Sequence, residues 1–204
     1  MRMNWIILTL LVVAWPSLCW ADGNYILTMN GTKVELNLDV EQKHKLPDGS
    51  EVTLKLERKS TSTFKTTGVS FEYPGALNVA TTEISKDTYQ HMLASARGTV
   101  ILVQTYPDID ASQLVELMTG KMTDDDVAAG EQRETKPFSR TLADGTVVTG
   151  TLSTLKAPGN DAIVEVLAIR QGRGGTMLIT RTDRDIAPDE GSIIERFWAS
   201  LSLH

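Results

Sequence analysis

Hydrophobic and polar residues alternate with a period of two through much of this chain, the spacing at which one face of a β-strand is dry. Val34, Leu36, Leu38 and Val40 are separated by Glu35, Asn37 and Asp39, and they follow Tyr25 to Asn30 across an Asn30-Gly31 pair. That pattern predicts a β-hairpin with one buried face. Val52, Leu54 and Leu56 alternate with Thr53, Lys55 and Glu57 after the turn sequence Leu46-Pro-Asp-Gly-Ser50. Val69, Phe71 and Tyr73 do the same up to Pro74-Gly75, where proline ends the strand. The Ser-, Thr- and Lys-rich segment from Ser60 to Thr67 reads as a connection. Two further runs, Val100 to Val103 and Ile163 to Ile169, are nearly continuous in apolar residues, as expected of central strands covered on both faces.

A period of 3.6 enters late. Asp110 is placed to cap a helix with Leu114, Val115, Leu117 and Met118 on one face, Gln113 at the capping-box position and Gly120 near its end. Thr123-Asp-Asp-Asp126 is expected to open a further short turn ending at Gly130. A last helix is expected from about Pro188, with Asp189 and Glu190 in its first turn and Ile193, Ile194, Phe197, Trp198 and Leu201 on an apolar stripe that must lie on a sheet. Strands before helices indicate an α+β domain: an antiparallel β-sheet covered by a few helices, including the amphipathic C-terminal one, with an added N-terminal β-hairpin element. Residues 22–204 are expected to be a single domain, its hairpin element spanning 22–63. One internal echo stands out. Leu46 to Leu56 and Leu142 to Leu152 agree at seven of eleven positions when Ser and Thr are pooled. Two Asp-Gly turns entering strands account for this through turn chemistry alone, and duplication of a half-domain is the alternative.

The first 21 residues change the picture of where the chain works. Arg2 precedes an uncharged run from Trp5 to Trp15, then Pro16 and a small residue, Ala21, before Asp22. This is the pattern of a cleavable export signal, and the run is too short for the roughly 20 residues a membrane span needs. Retention as an N-terminal anchor is the alternative. Cys19 is a poor site for acylation because Leu18 precedes it. Cleavage would remove Arg2, the sole cysteine and three of the four tryptophans. A cysteine-free exported chain has no disulfides to lean on and must be stabilised by its core, which suits a bacterial periplasm or the extracellular medium. The Asn30-Gly-Thr sequon is more economically a hairpin turn than a glycan site.

Composition bounds the chemistry. Twenty basic against 26 acidic residues give a net charge of -6, against nucleic-acid binding. One cysteine and three histidines are too few for a zinc cluster, an iron–sulfur centre or a disulfide scaffold. No cofactor or metal is expected, and no glycine-rich loop joins a strand to a helix to hold a nucleotide. His44 lies between two lysines ahead of a turn, His91 lies in Tyr89-Gln-His-Met-Leu93, and His204 is the last residue and is expected to fray. Each fits a surface or half-buried position better than a catalytic base. Ser153-Thr-Leu-Lys156 and Ser62-Thr-Phe-Lys65 match the Ser-x-x-Lys pattern of penicillin-recognising acyl enzymes, but both fall in strand or loop and lack the companion motifs. Asp124, Asp125 and Asp126 are better read as first-turn charges than as a glycosidase pair or a calcium loop. No aromatic platform for sugars or single strands is visible. Arg170, Arg173, Arg181 and Arg184 gather around Gly172-Arg-Gly-Gly175 and are the candidates for an anionic partner. Asp161, Glu165, Asp183 and Asp185 balance them, so a solvated mixed face is the simpler reading. Tyr73-Pro74 and Tyr106-Pro107 each close a strand.

Gly68-Val-Ser-Phe-Glu-Tyr-Pro74, the run from Gly98 to Tyr106, the helix after Asp110 and Phe197-Trp-Ala-Ser-Leu201 together resemble the fold group that includes the photosystem II extrinsic protein PsbP and the bacterial periplasmic protein DcrB. The resemblance covers about residues 64–204. It implies an α/β/α sandwich around an antiparallel sheet and a non-enzymatic accessory or binding role; no binding residue of that group maps onto this chain. The expectation is a non-catalytic exported domain that binds a protein or assembly of the cell envelope, without nucleic acid and without a stable membrane span after signal removal. A small-molecule or lipid-binding periplasmic carrier is the alternative, and an atypical serine hydrolase a remote one.

Overall fold

The computed structural model describes residues 25–158, 160–183 and 190–204. They form two compact units, Met1–Arg58, described from Tyr25, and Lys59–His204. The first holds two hairpins. Strands β1 (Tyr25–Met29) and β2 (Thr32–Leu36) are joined by Asn30 and Gly31, whose φ angles of 48° and 83° are the left-handed pair that a two-residue hairpin turn requires. The expected alternation stops at Leu36, and Val40 is exposed. Strands β3 (Glu41–Lys45) and β4 (Glu51–Lys55) make the second hairpin, with His44 in β3 just ahead of the turn.

The second unit is built on a seven-stranded antiparallel sheet. Its strands are β7 (Val79–Ser85), β8 (Thr88–Ala94), β9 (Val100–Tyr106), β10 (Gln132–Thr141), β11 (Val147–Ala157), β12 (Asn160–Gln171) and β13 (Gly174–Asp183), in the order β10-β11-β12-β13-β9-β8-β7. The two apolar runs are central, as their composition implies: β9 lies between β13 and β8, and β12 between β11 and β13. A three-stranded sheet of β5 (Thr61–Lys65), β6 (Val69–Pro74) and β14 (Ser202–Leu203) completes the unit. The Ser/Thr-rich segment is therefore strand β5 and not a connection; its pairing to β6 outweighs its polar composition, and Phe64 faces Phe71 across the pair.

Two cores lie on opposite faces of the large sheet. On one face Leu102, Leu155, Val164, Val166, Met177 and Ile179 pack with Leu114, Val115, Met118 and Met122 of a 3₁₀ turn (Ala111–Leu114) and helix α1 (Val115–Ala128). On the other, Leu93, Ile101, Val103, Leu167 and Leu178 pack with Val69 and Phe71 of β6 and with Ile193, Phe197 and Trp198 of helix α2 (Gly191–Ser200). Among the described residues the balance is β-rich, mostly antiparallel sheet with two helices. The expected start of α2 at Pro188 and Asp189 lies outside the described residues.

Helix α1 corrects the sequence reading twice. It is one helix running through Gly120 and the three aspartates, ending where Gly130 takes φ 102°. Its packing stripe is Leu114, Val115, Met118 and Met122, whereas Leu117 is 58% exposed. Thr123, expected to open a new turn, is instead fully buried in the helix and donates to the Thr119 carbonyl at 2.6 Å.

Candidate functional site

The sheet's β7–β8 corner places a buried histidine beside a cleft. In β8, Tyr89, His91 and Leu93 leave by one face because strand side chains alternate. His91 is opposite Thr81 on β7 and Val103 on β9. Its Nδ1 lies 3.0 Å from Thr81 Oγ1, its ring is 4.8 Å from Phe64, and Tyr89 stacks nearly parallel to it at 6.5 Å. The imidazole is only 4% exposed, and burial lowers its pKa below the ordinary histidine value. The β5–β6 turn, Thr66 to Gly68, closes one side, with Thr66 N donating to the Val69 carbonyl at 2.8 Å. His204 is tied down there rather than frayed, its amide donating to the Gly68 carbonyl at 3.2 Å.

Thr81, Tyr89, His91, His204 and the β5–β6 turn, with Thr105, Tyr106, Pro107 and Asp87, line a cleft of about 630 Å³. The Tyr106 side chain leaves by the opposite face, where it packs with the core under α1 and burial raises its pKa. Its hydroxyl donates to Gln104 Oε1 at 2.6 Å, and Gln104 Nε2 donates to Gln90 Oε1 at 2.8 Å. Thr81 and His91 have the spacing of a hydroxyl and its base. Among the described residues, no hydrogen bond joins His91 to a carboxylate, so the third member that orients such a pair is not in place.

A second, more open cleft of about 810 Å³ lies between α1 and strands β10 and β11. It is lined by hydroxyls and ion pairs. Thr119 Oγ1 is 2.6 Å from Thr151 Oγ1, and Arg133 reaches Thr123 at 2.7 Å and Asp124 at 2.5 Å. Ser153 is fully buried beside it, bonded to Thr135 Oγ1 at 2.8 Å. Ser153 and Lys156 are three residues apart on β11, as Ser62 and Lys65 are on β5, so in each pair the side chains leave by opposite faces. Neither arrangement brings lysine to serine.

The arginine candidates do not form one patch. Arg173 is at the β12–β13 tip, 3.0 Å from Asp108, and Arg170 donates to the Gly172 carbonyl at 3.2 Å. Arg181 pairs opposite Val164, six register steps from the Arg170–Gly175 pair, roughly 20 Å along the hairpin. It grips Asp126 through two nitrogens at 2.8 and 3.2 Å. Arg184 lies outside the described residues. The aspartate run is thus not at a helix N-terminus: it occupies the last turns of α1, where its charge opposes the helix dipole and is met by Arg133 and Arg181.

Glu165, expected on a solvated face, is buried. Its carboxylate accepts from Arg140 Nε at 3.0 Å, Arg140 Nη2 at 2.6 Å and Thr180 Oγ1 at 3.0 Å. The Arg140 guanidinium also sits 4.9 Å over the Trp198 ring. The one sequence signal was an acid inside the apolar run of β12. For His91 it was the alternation of Tyr89, His91 and Leu93.

No protein-family model matches the chain, and no curated protein matches it. Among the described residues, no group of three or more His, Cys, Asp or Glu side chains could hold a metal ion, and no helix is long and apolar enough to cross a membrane.

Proposed function

We propose that the chain is a non-catalytic exported domain that binds another protein of the cell envelope by adding one of that partner's segments to strand β7. One observation carries this reading: the two edges of the large sheet are treated differently. β10, at one edge, reads Gln-Arg-Glu-Thr-Lys-Pro-Phe-Ser-Arg-Thr, with proline and four charged residues, the devices that keep an edge from pairing. β7, at the other, reads Val-Ala-Thr-Thr-Glu-Ile-Ser, with no proline and no lysine, and its residues from Ala80 onward are exposed. An edge of β-branched residues with free main-chain groups favours strand addition. Export is supported by the leader pattern of residues 1–21. The finer fold reading, an α/β/α sandwich like that of the PsbP and DcrB group, is supported by a helix on each face of the large sheet.

The test is photocrosslinking in cells from position 82, with position 136 on β10 as the control. A discrete partner captured from β7 and not from β10 is expected. Proline placed in turn at Ala80, Thr81, Thr82 and Glu83 should abolish capture at the alternate positions whose N–H points away from β8, with the fold retained there. Capture from both edges alike, or from neither, would defeat the reading.

The cleft beside His91 favours a second reading, a carrier of a small molecule, since an enclosed pocket with a few polar groups is the usual form of such a site. Native mass spectrometry of the protein purified from its own compartment should then show a bound ligand.

A further inference from the structure

The walls of the His91 cleft limit what it can hold. Its flat apolar groups are Tyr89 and Pro107, suited to an aromatic ring; the Tyr106 ring lies on the other face of the sheet. Tyr89 is 37% exposed at the mouth, an aromatic face left without cover. No lysine or arginine lines the cleft, whereas Asp87 does. Asp87 occupies the β7–β8 turn at φ 56°, and its amide donates at 3.1 Å to Glu83 Oε1, which places a second carboxylate at the same corner. Lys86 shares that turn but is not among the lining residues. His91 also lines the cleft, and burial lowers its pKa, which disfavours a positive charge there.

We propose that this cleft binds a small aromatic amine, its ring against Tyr89 and Pro107 and its ammonium group at Asp87. A carboxylate or phosphate ligand would find no lysine or arginine and would meet Asp87; a cation finds both a carboxylate and the electron-rich ring of Tyr89. A cleft of about 630 Å³ suits a two-ring amine. The assignment rests on the small-molecule reading of the cleft and is independent of strand addition at β7.

Three probes of one shape and different charge separate the possibilities: tryptamine, indole and indole-3-acetate, titrated calorimetrically into the full-length protein at pH 8, above the ordinary imidazole range. Tryptamine should bind about tenfold more tightly than indole-3-acetate, with indole between them. Asp87→Asn tolerates the same backbone conformation and should bring tryptamine and indole within about twofold of each other. Tyr89→Ala should weaken all three by about tenfold, with an unchanged melting curve as the control for folding. Equal binding of tryptamine and indole-3-acetate, or a preference that survives Asp87→Asn, would overturn the amine assignment and leave the carrier reading standing. Failure of all three to bind at millimolar concentration would overturn both.

Discussion

The Glu165 carboxylate accepts three hydrogen bonds where its neighbours on the strand are apolar, and two of the three come from Arg140. With its side chain 7% exposed, that charge depends on its partner, because an ion removed from water is stable only when paired and hydrogen-bonded. Arg140 is itself about a third exposed, so the pair is partly screened and the cost of breaking it falls below the fully buried range. Arg140→Leu should lower the unfolding free energy by about 2–3 kcal/mol, measured by urea denaturation, and adding Glu165→Leu should restore most of that loss. A single variant as stable as the parent would mean that water already solvates Glu165. At this scale the sequence tells which residues are exceptional and not what they meet. Glu165 breaks an apolar run, which marks it for pairing, but Arg140 is 25 residues away and reaches it only through the register of β10, β11 and β12. His91 was hidden in the same way: its burial comes from Phe64 on the small sheet, and no local pattern announces that approach.

At the scale of elements, the legible part is what turn chemistry and alternation determine locally. The two Asp-Gly sequences make the same turn down to its hydrogen bonds. Leu46 N donates to the Ser50 carbonyl and Leu142 N to the Thr146 carbonyl, both at 2.8 Å, and Asp48 and Asp144 each accept from the amide two residues on at 2.9 Å. Gly49 and Gly145 share φ 86°. Turn chemistry therefore suffices for the echo between the segments. The echo fails where Leu54 is matched by Gly150, and packing gives the reason: a Cβ on Gly150 would stand 2.0 Å from the Val166 carbonyl oxygen of the next strand. β11 is flanked on both sides, while β4 pairs only with β3. Gly150→Ala should force β11 and β12 apart and cost about 2–3 kcal/mol, read as a lowered urea midpoint with an unchanged slope. A neutral substitution would show that the strands yield freely there. A local reading divides α1 into two short pieces because Gly120 and the aspartates carry the local signature of an end and a start. The ion pairs from Arg133 and Arg181, invisible to a local reading, let the helix run through.

At the scale of the whole molecule, strand order is the least legible feature, since β9 pairs with β13 across 69 to 81 positions and nothing local encodes so distant a choice. What the order produces is a unit, Lys59–His204, in which both faces of the large sheet are covered from within its own chain: α1 on one, β6 and α2 on the other. The described part of Met1–Arg58 is different. It has two two-stranded hairpins, and Val34 and Leu36 are its only buried apolar side chains among the described residues. A lone hairpin is marginal in water, whereas a domain of this second unit's size buries enough surface to fold unaided. Residues 59–204 expressed alone should therefore give a dispersed amide spectrum and melt within about 5 °C of the full chain, the shift expected when about 1 kcal/mol or less is lost. Residues 25–58 alone should give the spectrum of an unfolded peptide. If 59–204 instead loses its cooperative transition, the hairpins contribute to the core of the larger unit, and the division between the two units does not mark independent folding.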